Sequence, residues 1–269
     1  MKPLILVTND DGVYSPGLRI LYEAVRDLGK VVIVVPETPK SATGLGLTLH
    51  KPLRIMKMKV FGFEAYLVSG TPSDIIHIAL SELLERKPDI VLSGINLGDN
   101  TSIQVILSSG TVGAAIQAVL LGIPAIAFSV AVSEPDELVE NSKLKSIMVK
   151  ISKFITKYVL ENGIPQGVEL LNVNFPSKVK DDIRVKVVPA AKLRFKERVL
   201  KRVDPQGKPY YWVYGEPLSA EPNTDVYVVL EEGNIAITPL KLDLNTILSN
   251  EEFKYFEPLV NELNKMLTG

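Results

Sequence analysis

Two hydrophobic patterns alternate along the chain. Short, unbroken apolar runs occur at PLILV (3–7), VVIVV (31–35), DIVLSGIN (89–96), IPAIAFSV (123–130) and VELLNVNFP (168–176). Such runs suit strands covered on both faces. Between them, apolar residues recur at helical spacing. Leu18, Leu21, Tyr22, Val25 and Leu28 form the first such stripe, with Gly29 as its stop. Strand, helix and strand in that order predict a right-handed β-α-β unit with parallel strands.

The same reading extends down the chain. KPLRIMKM (51–58) and EAYLVSG (64–70) read as strands. The segment 71–89 reads as a helix, with Thr71 as its cap, Pro72 at its first position and Asp74 completing a capping box. A helix is expected over 109–122, and one long helix over 133–163, with Ser133 and Asp136 as its capping box. Beyond about residue 180 the character changes. Segments 182–190 and 225–240 look strand-like, and 202–215 carries the turn Asp204-Pro-Gln-Gly207 between two strand-like arms. A long projecting hairpin is expected there, then a short helix near 257–267 with Pro258 in its first turn. The sum is an α/β fold: a doubly wound, mostly parallel, Rossmann-like sheet, with a C-terminal projecting β-hairpin and a terminal helix. The expected division is a catalytic core over 1–180 and an oligomerising part over 181–269.

Ligands of open α/β sheets bind at the carboxyl ends of strands, and polar clusters fall at those ends. The first strand delivers Asn9, Asp10 and Asp11; the second leads into a loop with Ser41 and Thr43; the strand at 89–96 delivers Asn96 and then LGDN. Adjacent acids repel and raise each other's pKa unless solvent, a cation or a cationic side chain offsets them. Carboxylates, an amide oxygen and a hydroxyl form a hard-oxygen set that suits Mg²⁺ or Mn²⁺ better than zinc. Read alone, NDDG is an ordinary polar turn, Ser41 a loop residue and Asn96 a turn residue; their convergence makes the difference.

The segment SSGTVGAA (108–115) adds an anion site. Small residues at a helix start let backbone N–H groups approach a negative ligand, with Ser109 and Thr111 as hydroxyl donors. A tightly packed, well-capped helix explains the segment equally well, and no Lys follows to make a P-loop. His77 lies on an apolar stretch and is expected in the core, and His50 follows the strand-like LTL, so a histidine mechanism has little support. The cations Arg194, Lys196, Arg198, Lys201 and Arg202 read as a solvated face, an anionic-substrate site or a subunit contact.

Composition narrows this picture. Of 269 residues, 30 are Lys or Arg and 31 Asp or Glu, giving a net charge of −1. That balance argues against nucleic-acid binding driven by bulk charge. With no cysteine, disulfides, thiolate metal sites and cysteine nucleophiles are excluded. The same absence, with 18 prolines, is compatible with a hot habitat. The N-terminus is not a signal peptide and no apolar run reaches membrane-spanning length, so a soluble cytoplasmic protein is expected. Two alternatives fail on spacing. A haloacid-dehalogenase-type phosphatase needs a second acid two residues after the first, where Gly12 and Val13 stand. A dinucleotide-binding module needs G-x-G-x-x-G after the first strand.

The motifs ILVTNDDGVYSPGL, PKSATGLGLTLHKPLR, SGTPSD, PDIVLSGINLGDN, SSGTVGAA and TDVYVVLEEGNIAITPL stand in the order found in the SurE family. The chain resembles these stationary-phase survival proteins over nearly its whole length, in the form expected of a thermophilic archaeon. The resemblance implies a nucleotidase acting on nucleoside 5′- and 3′-monophosphates with broad phosphomonoesterase activity. It implies one divalent metal, Mg²⁺ or Mn²⁺, held by Asp10, Asp11, Ser41 and Asn96. Asp10, Asp11 and Asn9 become the catalytic candidates, with the general base left open between Asp10 and Asn9. Asn96, Ser108, Ser109, Gly110 and Thr111 become the substrate-binding ones. A homodimer or homotetramer with exchanged C-terminal elements is implied too, with no membrane or nucleic-acid duplex as partner. Many members carry Tyr before the SGT triplet, where this chain has Ser108.

Overall fold

The computed structural model describes residues 2–245 and 249–268. Its centre is a nine-stranded sheet ordered β3-β4-β2-β1-β5-β6-β7-β11-β8. The strands are β1 (Leu4–Thr8), β2 (Lys30–Pro36), β3 (Ile55–Val60), β4 (Phe63–Val68), β5 (Ile90–Leu97), β6 (Ala125–Val130), β7 (Leu170–Phe175), β8 (Val185–Val187) and β11 (Ile235–Leu240). From β4 to β7 all neighbours are parallel. The edge strand β3 and the late strand β11 run antiparallel to β4 and β7. Strands β8 and β11 lie beyond residue 180 in sequence, yet both belong to this sheet.

The unbroken apolar runs form the middle of the sheet because helices cover both faces. Along β1, Ile5 and Val7 join one core with helices α1 (Pro16–Val25), α5 (Pro135–Glu140) and α6 (Ser142–Asn162), whereas Leu6 joins the other. That second core includes Ile75 and Ile76 of α2 (Pro72–Ile78) and Val112 and Ala115 of α4 (Gly110–Leu120). Apolar layers cover both faces, so each strand residue removes area from water whichever way it points.

The capping box of α2 is present: Thr71 accepts from the Asp74 N–H, and Asp74 accepts from the Thr71 N–H. Several expectations need correction. The helix expected over 133–163 is two helices. Asn141 (φ −88°, ψ 79°) breaks it and caps α6 through the Leu144 N–H, and the first helix is capped by Glu134 with Glu137 rather than by Ser133 with Asp136. The strand-like stretch from Asp225 begins as a helical turn over Tyr227–Glu231, and only its second half is β11. His77 lies on the outer face of α2 and is exposed, as is His50, and no strand forms over 47–49. An additional short helix, α3 (Ser102–Ser108), precedes α4. The C-terminal helix α7 (Asn250–Thr268) starts a full two turns earlier than expected, because Ser249 and Glu252 exchange capping hydrogen bonds; Pro258 is therefore inside it.

The hairpin forms where its turn signal stands. Strands β9 (Phe195–Val203) and β10 (Pro209–Pro217) pair in antiparallel register from Phe195↔Pro217 to Val203↔Pro209. Asp204 closes the turn by bonding Lys208, with Gly207 at φ +85°. It is a separate two-stranded sheet, and its side chains are exposed almost throughout. Among the described residues no single helix is long and apolar enough to cross a membrane.

Candidate active site

Strand order reverses between β1 and β5: β2 follows β1 on one side, while β5 flanks it on the other. This switch point opens a crevice at the carboxyl ends of the two strands. Asp10 and Asp11 emerge from β1 into it, and Asn96 emerges from β5. A tight turn holds the acids in place. Asn9 donates to the Gly12 carbonyl (2.9 Å) and accepts the Gly12 N–H (3.1 Å). Gly12 sits at φ +88°, a conformation a side chain would strain. The Asn9 amide is thus occupied within the turn, and its contribution is to aim Asp10 and Asp11.

Asp10 is only 5% exposed. Its carboxylate accepts the Thr111 hydroxyl and lies against the Thr111 backbone N–H, at the first turn of α4. Gly110 is required there: a Cβ on it would stand 2.9 Å from the Thr43 hydroxyl and 3.0 Å from the Asp10 carboxylate. Burial first, and the neighbouring Asp11 charge second, push the Asp10 carboxyl up to about 7, against the opposing pull of Thr111. Asp11 is raised as well, by burial, although its Oδ2 accepts the Leu97 N–H at 3.3 Å. That bond ties the acid loop to the end of β5.

The other predicted residues are arranged around this pair. The Lys40 N–H donates to the Asp10 carbonyl (2.8 Å), so the exposed Ser41 directly follows a residue bonded to the acid turn. A bulge in the β5–β6 pairing between Ser93 and Asn96 re-aims Asn96. Its Nδ2 donates to the Gly98 carbonyl (2.7 Å), and Oδ1 has no hydrogen-bond partner among the described residues. Ser109 is buried and caps α4 by accepting the Val112 N–H (3.1 Å). Ser108 is not directed into this cluster by hydrogen bonding: its hydroxyl donates back to the Gln104 and Val105 carbonyls of its own helix.

The donor set fits a hard divalent cation. Its members are two adjacent carboxylates, one almost fully buried and destabilised by the other, with Asn96 next to Leu97, whose N–H reaches Asp11, and Ser41 next to Lys40, whose N–H reaches the Asp10 carbonyl. No group of three or more His, Cys, Asp or Glu that could hold a metal occurs among the described residues. This set contains only two acids, so its remaining ligands must be neutral oxygens.

Three further residues bear on the site: Asp99 from LGDN, Arg194 from the basic cluster, and Gln104. Asp99 and Arg194 form an ion pair (2.8 Å) with side chains only 8% and 16% exposed. Gln104 is fastened to the base of β9. Arg194 therefore leaves the solvated face expected for its cluster, while Arg198 pairs with Glu216 on the exposed hairpin. For Gln104 the available signal is a polar residue inside an apolar stretch, SIQVILS.

The family model described as "Survival protein SurE" matches residues 5–197. Curated relatives bearing the name 5′-nucleotidase SurE include one from Hyperthermus butylicus, 57% identical over 242 residues that cover 90% of this chain and 86% of the relative. Another, from Thermofilum pendens, is 58% identical over 88% of this chain and 90% of its own length. The crystal structure of the SurE protein from Aquifex aeolicus superposes with a TM-score of 0.78 at 41% identity, covering 95% of this chain and all of that one.

Proposed function

The chain belongs to the SurE family, and from that premise we propose that it is a metal-dependent 5′-nucleotidase. It hydrolyses nucleoside 5′- and 3′-monophosphates, and more broadly phosphomonoesters, to alcohol and phosphate. The observation that carries this reading is the contact between Asp10 and the Gly110–Thr111 turn. It joins a pair of metal-suited acids to a helix N-terminus suited to phosphate.

Asp10, Asp11, Ser41 and Asn96 would hold one Mg²⁺ or Mn²⁺. When bound, the cation supplies Lewis acidity toward a phosphoryl oxygen and an acidified water. The chain's own residues do the rest. Asn9 fixes the acid turn. The N-terminus of α4, with the Ser109 hydroxyl as donor, receives the phosphate dianion and its developing charge, while the Thr111 hydroxyl proton is committed to Asp10. Thr111 also orients Asp10, coupling the phosphate-binding turn to the acid pair. Asp10 is the candidate base, since the Asn9 amide is both occupied and non-basic.

A diester offers one fewer ionisable oxygen and a second bulky substituent, so turnover should favour monoesters. The phosphate turn is also short for a triphosphate cradle. The protein works in the cytoplasm as a homodimer or homotetramer, exchanging C-terminal elements between copies. In support, Tyr211, Trp212 and Val213 of the hairpin and Phe253, Leu259 and Leu263 of α7 are all exposed, more apolar surface than a free loop carries.

The decisive experiment is phosphate release from AMP, 3′-AMP, p-nitrophenyl phosphate and bis-p-nitrophenyl phosphate across a metal panel with and without chelator. Chelator-sensitive turnover of the monoesters is expected. Diester kcat/KM equal to or above the monoester values, or turnover indifferent to chelator, would overturn the reading.

A further inference from the structure

The hairpin is remote from the crevice in appearance, but its root is wired to the crevice floor. Gln104, in α3, binds the first residues of β9 as a neighbouring strand would. Its side-chain oxygen accepts the N–H groups of Arg194 (3.1 Å) and Phe195 (2.9 Å). Its NH₂ donates to the Phe195 carbonyl (3.2 Å) and to the Glu197 carboxylate (3.3 Å). One residue earlier, the Ile103 N–H donates to the Ala191 carbonyl (2.7 Å). The buried Asp225 carboxylate bridges the Ser102 and Ala191 N–H groups. Arg194 closes the arrangement, stacking 4.6 Å over Phe195 and pairing with Asp99 on the loop that follows Asn96.

Helix α3 has only seven residues, too few to be stable by itself. Its position is therefore set by what it is fastened to. Its last residue, Ser108, leads straight into Ser109–Thr111, the turn that touches Asp10. The Ser108 carbonyl also accepts the Gly44 N–H (2.9 Å), which carries the Ser41 loop. From Gln104 to Ser108 is one helical turn, about 6 Å along the axis. A shift of the hairpin root thus moves both loops of the crevice together.

We propose that Gln104 and the Asp99–Arg194 pair are positioning residues, through which the hairpin root sets the placement of the 109–111 turn and hence the affinity for the phosphate group. The part concerning affinity rests on the reading of that turn as the phosphate site.

The test uses hydrogen exchange and steady-state kinetics on the full-length chain, comparing wild type with Gln104→Ala, Arg194→Ala and Arg194→Lys. A fourth variant shortens the hairpin tip by replacing residues 199–213 with a two-residue turn and keeps the root. In Gln104→Ala and Arg194→Ala, the amides of Gly44, Val112 and Gly113 should exchange about tenfold faster, the factor expected when one or two net hydrogen bonds are lost. Amides of β1 and β6 should keep wild-type protection. KM for AMP should rise severalfold with kcat changing less, and Arg194→Lys should recover most of both losses. The tip variant should leave the three amides as in wild type. Unchanged exchange at these amides in both alanine variants, or equal acceleration across the whole sheet, would overturn the proposal. If the amides respond as expected while wild type shows no AMP turnover, the phosphate reading falls and the mechanical coupling stands.

Discussion

The strands β1, β5 and β6 and the hairpin β9–β10 all carry large apolar residues, interleaved with charges only in the hairpin, and those apolar residues have opposite fates. Ile5, Val7, Leu92 and Phe128 are fully buried between two helical layers. In the hairpin, Val199, Tyr211, Trp212 and Val213 face outward, with Trp212 61% exposed. The first region is complete as a single chain: its apolar area is already out of water. The second leaves apolar area uncovered on both arms, and α7 repeats this with Phe253, Leu259 and Leu263. Elements of this kind are shaped for a surface outside their own chain. The candidate site and the uncovered apolar surface thus lie in different parts of the chain, joined at the hairpin root by Gln104 and Arg194.

Changes in the first region should therefore have the larger effects. Asp11→Asn removes one carboxylate from the crevice while retaining an acceptor for the Leu97 N–H. Turnover of AMP should fall on the order of 10²–10³-fold, with the circular dichroism spectrum and Tm unchanged. Wild-type turnover in this variant, still indifferent to chelator, would separate the acid pair from the chemistry and break the comparison.

Next comes Gly17→Ala, at the start of α1. A Cβ there would stand 1.9 Å from the Ile95 carbonyl oxygen, a backbone atom with no freedom to withdraw. Overpacking should destabilise the chain by at least about 1–3 kcal/mol, read as a drop in Tm. A Tm within error of wild type would show that the β5–α1 contact yields readily.

A subtler probe is pH. Burial raises the Asp74 carboxyl, but the hydrogen bonds it accepts from Thr48 and Thr71 outweigh this and hold it below the ordinary value. A depressed folded-state pKa contributes stability that is present above the unfolded value, about 4, and is lost as pH falls through the folded one. Asp74→Asn should thus lower Tm at pH 7, and the gap to wild type should shrink below about pH 4. A gap that is constant with pH would show that packing, not charge, holds the 43–50 loop to α2.

The smallest effect on stability is expected from the hairpin tip. Replacing 199–213 with a two-residue turn removes side chains that are almost all exposed, so Tm should change by less than about 0.5 kcal/mol equivalent. Light scattering should nevertheless report a lower oligomeric state. A wild-type chain that is monomeric at micromolar concentration would remove the assembly half of the comparison.

The sequence by itself determined β1, β2, β5, β6 and β7, since their continuous apolar runs suit strands covered on both faces. It also determined the turn at Asp204–Gly207 and the capping box at Thr71–Asp74, because these depend on residues within four positions of one another. Strand order pointed to Asp10, Asp11, Ser41 and Asn96 at one edge, and the structure links Leu97 beside Asn96 to Asp11 and Lys40 beside Ser41 to Asp10. Other features were decided by tertiary structure. Asn141 splits a continuous helical stripe by adopting a non-helical ψ that no propensity foretells. The stretch 225–231 coils because Asp225 is captured by the Ser102 and Ala191 N–H groups, 123 and 34 residues away. The Asp99–Arg194 pair spans 95 positions. Charge patterning cannot see such a contact, because it forms only once β5 and the hairpin root have already been folded side by side.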